Sequence, residues 1–556
     1  MGWRENDAAS RASPTATFSV RPPADYNRRP MRRYFPDLEE FKQAAATADV
    51  VPVYRQLLAD HLTPVTAFEV LGRDANAFLL ESVVGGEKIA RYSFIATSPS
   101  LVYAVAGGHA AVSGPQVKLR EFETTDPLAD LAKLLPKKRF HLTKGLPAFT
   151  GGLVGYAGYD TIRYYEADVL KNPPKDDRRL PDLLFGLYNE LVVFDHVDKT
   201  IKVVANADVS GVDSGQWAVG SEGKEAAGPS STDHRPLPTA HSLERAYTDA
   251  CRRIDDLVRR LGQPPSSKLG EIDKTAPLSL TFESNFSRDG FEKAVAAGME
   301  YIRAGDIFQF VPSQRLRVPS AADPFDVYRA LRVINPSPFM FYLKSPACTL
   351  IGASPEILCR VQDRVVTSKP LAGTRVRGRT DEEDKALEKE LLADPKDRAE
   401  HIMLVDLHRN DVGRVSEVGS VKVTETMAVE RYSHVMHISS EVQGTLRPDM
   451  TAFDALRVSL PVGTVSGAPK IRAMQIIDEL EPTRRGPYGG AVGYVDFAGN
   501  MDTCIALRTI VWRNGVYDVQ AGAGVVADSV PASEYEETMN KAKALLKAVE
   551  IGEKGF

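Results

Sequence analysis

A chain of 556 residues, 43% of them hydrophobic and 26% charged, exceeds one ordinary core and predicts two domains or one large duplicated α/β unit. A formal net charge of -5, from 69 basic and 74 acidic residues, excludes a broadly basic nucleic-acid surface and leaves a small molecule or a protein as partner. The cysteines Cys251, Cys348, Cys359 and Cys504 have neither a disulfide framework nor C-x-x-C spacing, which predicts reduced thiols and a cytoplasmic protein, and no apolar run reaches membrane-spanning length.

Residues 1–33 carry seven arginines among Ser, Pro and Thr, and Glu5, Asp7 and Asp25 depart from the acid-poor pattern of a transit peptide, so a disordered extension is expected. Residues 34–207 read as an α/β domain. It comprises a helix near 37–46, TAFEVLG and NAFLLESVVGG as a strand pair, RYSFIATSPSLVYAVAGG, a Gly-rich stretch at 149–166, and two strands within 182–207 hinged at Asp195 to Lys199. Alternation without long helical crossovers predicts antiparallel pairing. Residues 208–241, rich in Gly, Ser and Pro, read as a flexible insertion or linker. A second domain, 242–556, opens with a helix near 243–261 and a Ser287-capped helix that ends at Gly305.

Within it, DPKDRAEHIMLVDLHRNDVG (394–413) begins with Asp394 as a cap and Pro395 at the first helical position, which sets Asp397 and Glu400 at i,i+3 on one face. Acids in a first turn also simply offset the helix dipole, by about 0.3–1 kcal/mol each. Here charge continues through the apolar run that follows, as His401, Asp406, His408, Arg409 and Asp411, and such groups stay buried only when paired or bound. A second acidic helix start lies at 528–550, with Ser533 and Glu536 as a capping box and Glu534 and Glu537 at i,i+3. If the two starts converge, four carboxylates need a cation between them, and an oxygen-only set favours Mg2+ completed by an anionic substrate, which Lys541 would meet.

Other segments carry weaker signals. Glu356 follows a turn in GASPEILCR, Thr374 stands beside Gly373 in KPLAGTRVRG, and YSHVMHISSEVQG alternates like a strand with His434 and His437 on opposite faces. GTVSGAPK fails the phosphate-loop spacing. In 488–512, read as two strands, Arg508 falls near the middle of the second and would grip a carboxylate, while Gly522 and Gly524 would let backbone amides approach an anion. Each of these is equally readable as a turn, a bulge or a structural residue.

Together, GDIFQFVPS, GASPE, PLAGTRVRG, EHIMLVDLHRNDVG, VMHISSEVQG, GTVSGAPK, YGGAVGY, DTCIALRT, AGAGVVADSVP and EYEETMNKAKA, in this order, resemble the chorismate-utilising enzymes and above all the large subunit (component I) of anthranilate synthase. The resemblance runs from about Phe35 to the C-terminus apart from the insertion. It implies an α/β fold of α+β type, with two large, mainly antiparallel sheets packed as a sandwich, helices outside and the active site between. It implies a lyase that converts chorismate and ammonia to anthranilate and pyruvate in tryptophan biosynthesis, with ammonia supplied from glutamine by an amidotransferase subunit (component II) in a hetero-oligomer.

Carried onto this chain, the resemblance makes Glu400 and Glu537 direct Mg2+ ligands, with Asp397 and Glu534 direct or water-mediated, Asp397 departing from the commoner Glu. It makes Tyr488, Arg508, Gly522, Gly524 and Lys541 substrate-binding, Thr374 substrate-contacting, His437 catalytic and Glu356 the general acid. Gln309 stands where water-adding relatives carry Lys, and Ala372 where aminodeoxychorismate synthases often carry Lys, which favours anthranilate synthase over aminodeoxychorismate synthase component I. Inhibition by L-tryptophan is implied at Glu81 and Ser82 together with Asn335, Pro336, Pro338, Phe339, Met340 and Phe341. A non-catalytic tryptophan-sensing subunit is the other reading, and the intact acidic residues speak against it.

Overall fold

A computed structural model describes residues 32–58, 60–83, 91–135, 138–210, 239–266, 270–432 and 435–555. The expected N-terminal extension, apart from Arg32 and Arg33, and most of the 208–241 insertion lie outside these residues, as does His434. The described chain from Tyr34 onward forms one compact unit.

Two sheets organise it, and every strand pair in them is antiparallel. The first has eleven strands in the order Val50–Leu57, Thr200–Asp208, Glu190–Asp195, Tyr92–Thr97, Ala77–Glu81, Phe339–Lys344, Thr349–Ser354, Thr509–Arg513, Val516–Gly522, Ser313–Pro319 and Glu283–Ser284. The second runs Leu371–Val376, Val435–Thr445, Val365–Ser368, Ile357–Gln362, Met501–Ile505, Ala491–Asp496, Gly152–Ala157, Leu183–Tyr188, Leu101–Ala106, His109–Gly114 and Val117–Glu123, with Lys422–Arg431 also paired to Val435–Thr445.

Side chains from both sheets, among them Phe78, Val193, Phe341 and Leu350 from the first and Val154, Tyr156, Val492 and Cys504 from the second, share one buried core. That core is the interior of the expected sandwich. Helices Ala240–Leu261, Pro324–Ile334 and Pro531–Lys554 bury Ile254, Leu331 and Leu545 against the first sheet. Helices Pro127–Leu134, Pro395–Val415 and Ala452–Ser459 bury Leu131, Val412 and Leu456 against the second. No helix among the described residues is long and apolar enough to cross a membrane.

The segments 34–207 and 242–556 do not close on separate cores. Each supplies part of both sheets, joined at Ala77–Glu81 with Phe339–Lys344 in one and at Gly152–Ala157 with Ala491–Asp496 in the other. TAFEVLG, expected as a strand, is helical (Pro64–Leu71), because the Thr63 and Thr66 side chains form a capping box and Pro64 takes the first turn. The stretch 182–207 holds three strands rather than two, since the chain passes at Asn189 from the second sheet into the first. Arg508 sits between two strands at φ 46, not within one. Ser533 lies inside a helix that starts at Pro531 after Val530, so it caps nothing.

Candidate active site

The site grows from the strand Leu371–Val376 at the edge of the second sheet. Gly373 bulges there at φ +61, a conformation that a side chain would strain, and turns its carbonyl to the next strand, where His437 Nδ1 donates to it at 3.0 Å. A carbonyl only accepts, so Nδ1 carries the proton and Nε2 presents the lone pair. Thr374 Oγ1 lies 3.1 Å from the same nitrogen. Burial lowers the His437 pKa and the Arg508 charge lowers it further, against the Gly373 carbonyl and Glu430, which raise it.

Glu356 follows Thr349–Ser354 and is buried. Burial pushes its carboxyl up to about 8, against a Leu371 backbone hydrogen bond and a 3.4 Å hydrogen bond donated by Thr464 Oγ1. It is therefore a protonated acid at neutral pH, and no cation among the described residues draws the proton off. Arg508 is also largely buried, and desolvation lowers its pKa. The Tyr432 phenol feels both Glu356 and Arg508, which ties these two groups to the His437 hairpin.

The two acidic helix starts come together, since Glu537 of the second raises the Glu400 pKa in the first. In Pro395–Val415, Asp394 caps Lys396 and Asp397 as the sequence predicts, and Glu400 projects one turn on. Gln309 Nε2 donates to Glu400 Oε1 at 3.1 Å, while Gln309 Oε1 is buried without a partner. Burial raises the Glu400 pKa, with Asp397 and Glu537 adding to it against the Gln309 bond. Glu534 is raised likewise by burial and by Glu537. The remaining acids are engaged: Asp397 with Arg375 at 2.9 Å, and Glu537 with Lys541 at 2.7 Å.

Among the described residues no three potential ligands already close on a point. The donor set nevertheless fits a hard dication that keeps waters and shares its shell with substrate: oxygen-only, mutually repelling and half-desolvated. Gly524 backs Gln309 so closely that a Cβ would stand 2.9 Å from its Nε2. Tyr488, pushed up to about 12 by burial, sets its hydroxyl against the Gly522 amide, and Lys541 Nζ donates to the Gly522 carbonyl at 3.0 Å.

The other charges threaded through the helix are structural. His401 and His408 are buried against Ser440 and Ser368, and desolvation holds them at about 4 and about 3, hence neutral. Asp411 pairs with Lys470 at 2.9 Å, and Asp406 with Arg409 at 2.8 Å on the surface. Sequence reasoning missed Tyr432, Glu430, Lys369 and Thr464. A carboxylate and a phenol two residues apart at a strand end, five residues before His437, are the signal that was available.

Glu81 and Ser82 lie apart from these groups, beside Phe339–Lys344, with Glu81 paired to Met340. Glu81 accepts from Tyr328 Oη at 2.6 Å and from Arg332 at 3.1 Å and 3.2 Å, and the Ser82 hydroxyl is buried without a partner. The expected apolar wall does not form as one surface. Strand alternation turns Met340 to the helix-covered face, with Pro338 buried just before the strand, and Phe339 and Phe341 to the core between the sheets. Asn335 ends the Pro324–Ile334 helix, with Pro336 next, and its carbonyl accepts from Ser337.

The chorismate binding enzyme model matches residues 78–547. Anthranilate synthase component 1 of Acetivibrio thermocellus is 47% identical over 522 residues, 93% of this chain and 99% of its own. The crystal structure of anthranilate synthase component I from Streptococcus pneumoniae TIGR4 is similar at TM-score 0.67 and 38% identity, over 84% of this chain and 94% of that one. The menaquinone-specific isochorismate synthase from Escherichia coli, at TM-score 0.63 and 17% identity over 92% of this chain and 98% of its own, shares the fold alone. By the extent of the family match and by an identity far above that needed for a shared fold, this chain belongs to the chorismate binding enzymes, among the anthranilate synthase component 1 proteins.

Proposed function

We propose that the chain aminates chorismate at C2 and eliminates pyruvate to give anthranilate, with Mg2+ held by Glu400 and Glu537 and by Asp397 and Glu534 directly or through water. The observation that carries this reading is Glu356, a buried carboxyl that keeps its proton at neutral pH. Arg508 and the backbone amides near Gly524 hold the substrate carboxylates. Glu356 gives its proton to the C4 hydroxyl, which leaves as water while ammonia bonds to C2, and the ammonium so formed returns a proton to the Glu356 carboxylate. His437 Nε2 then takes the C2 proton as the enolpyruvyl C–O bond breaks, that proton passes to the methylene carbon of the departing enolpyruvate, which leaves as pyruvate, and the ring becomes aromatic. Bound Mg2+ would supply neutralisation of a substrate carboxylate.

Gln309 suits ammonia rather than water. Its amide cannot deprotonate a nucleophile, and ammonia needs no deprotonation, while the unpartnered Oε1 offers an acceptor for an N–H. The test is direct: purified protein with chorismate, ammonium and magnesium should develop anthranilate fluorescence, and none under any condition would refute the reading. With glutamine in place of ammonium it should be silent until a glutaminase subunit is added, the partner that the component 1 relatives imply. Buried, unpaired thiols at Cys348, Cys359 and Cys504 support a reducing, cytoplasmic setting.

We infer further that L-tryptophan inhibits from the Glu81–Ser82 site. The unpartnered Ser82 hydroxyl and the Glu81 carboxylate can meet an amino acid, and a cavity of about 680 Å3 opens beside Arg332 with Leu62, Phe194 and Val333 in its wall. Ser82→Phe removes the unpartnered hydroxyl and is expected to raise the half-inhibitory tryptophan concentration by tenfold or more, about 1.4 kcal/mol. Unmutated enzyme indifferent to saturating tryptophan would end this part of the proposal.

A further inference from the structure

The hairpin that carries His437 holds polar groups that no step above uses. Glu430 stands directly opposite His437 in the register of Lys422–Arg431 against Val435–Thr445. Tyr432 Oη donates to Glu430 Oε2 at 2.7 Å, Lys369 pairs with the same carboxylate, and Glu425 lies 3.5 Å from Lys369 on its other side. The Tyr432 ring meets the His437 ring edge-on, centroids 5.7 Å apart at 62°. Burial first, and then Glu430, raise the Tyr432 pKa, so the phenol stays a donor at every working pH.

From this geometry we infer that Tyr432 and Glu430, braced by Lys369, are positioning residues that set the tilt and the basicity of the His437 imidazole in the elimination step. The Gly373 carbonyl and the Thr374 hydroxyl both meet His437 at Nδ1, and contacts at one ring atom leave the ring free to swing about it. The edge of the Tyr432 ring closes that freedom, and Glu430 holds the phenol where it does so. Among the described residues, the charged and titratable groups that act on His437 are Glu430 and Arg508, with Tyr432 in ring contact, and the Gly373 carbonyl and the Thr374 hydroxyl meet it as uncharged partners. Glu430 favours the imidazolium, and Arg508 and burial oppose it, so the balance leaves a base that is neutral at rest and still able to take a proton.

This inference rests on His437 being the base, and the experiment separates the two. Anthranilate formation is followed against pH at fixed free-ammonia concentration for unmutated enzyme, Tyr432→Phe, Glu430→Gln and His437→Asn, with thermal unfolding of each. Tyr432→Phe is expected to lower kcat by about tenfold with the chorismate KM within about twofold, since orientation and not binding is lost. Glu430→Gln should move the acid limb to lower pH, because a base that lacks the neighbouring charge protonates later as pH falls. If both variants keep kcat and the limb of unmutated enzyme while His437→Asn loses about 100-fold, the positioning unit is overturned and the base stands. If His437→Asn stays active, the base assignment falls and this inference with it.

Discussion

Replacing Glu356 by glutamine is expected to lower kcat for anthranilate formation by about 10³-fold, within the range that a positioned general acid contributes, with the chorismate KM changed only a few-fold. The amide keeps the shape of the acid and loses the proton that the C4 hydroxyl needs. The pH dependence follows from the same burial: the protonated form is the active one, so activity should fall as pH rises through about 8. Stability has the same sign. The folded pKa lies above the unfolded value of 4.5, so the contribution of Glu356 is fully present below about pH 4.5 and is lost as pH rises through about 8. Glu356→Gln cannot ionise, and it should unfold no more readily than unmutated enzyme on the alkaline side. A kcat–pH profile and a melting curve on each side of neutrality decide both points, and an unchanged alkaline limb in the variant would remove Glu356 from the acid role.

Glu400→Gln and Glu537→Gln should each abolish activity at limiting magnesium. In the metal-free protein the Glu400 charge is opposed by burial, by Asp397 and by Glu537, against the Gln309 hydrogen bond and Lys396, so it costs stability that a bound cation would relieve. The expected signature is a pair of opposite shifts. Without magnesium, Glu400→Gln melts no lower than unmutated enzyme, and with magnesium only the unmutated enzyme gains in Tm, because an ion bound by the folded state stabilises it by mass action. Glu537 also holds Lys541, so Glu537→Gln leaves that lysine with the Gly522 carbonyl as its remaining hydrogen-bond acceptor, and the change should appear in the chorismate KM as well. Full activity of either variant at limiting magnesium would sink the assignment.

Much of the site is legible in the residues because local rules govern it. Asp394, Pro395, Asp397 and Glu400 belong to one helical start, whose cap and i,i+3 geometry follow from sequence spacing alone, and Ser287 and Gly305 bound their helix for the same reason. Antiparallel pairing likewise follows from short strands without crossovers, and the ordered motifs from GDIFQFVPS to EYEETMNKAKA suffice to point to the family. What misled were places where two local rules compete: TAFEVLG has the composition of a strand, and the Thr63 cap with Pro64 decides for a helix.

Only the tertiary structure decided which polar groups are desolvated and which neighbours they meet. Glu356 reads as a turn acid in the sequence, and it becomes a protonated acid because folding buries it and no cation among the described residues draws its proton off. His437 owes its tautomer to the carbonyl of Gly373, 64 residues away in the chain, and its environment to Tyr432, Glu430 and Arg508. Strand alternation divided Met340 from Phe339 and Phe341, and pairing across the two halves merged into shared sheets what composition divided into domains. The physical reason is common to all of these: propensity and capping act over a few residues and can be read along the chain. Dielectric environment, hydrogen-bond partners and the face a side chain presents depend on groups that only folding brings together.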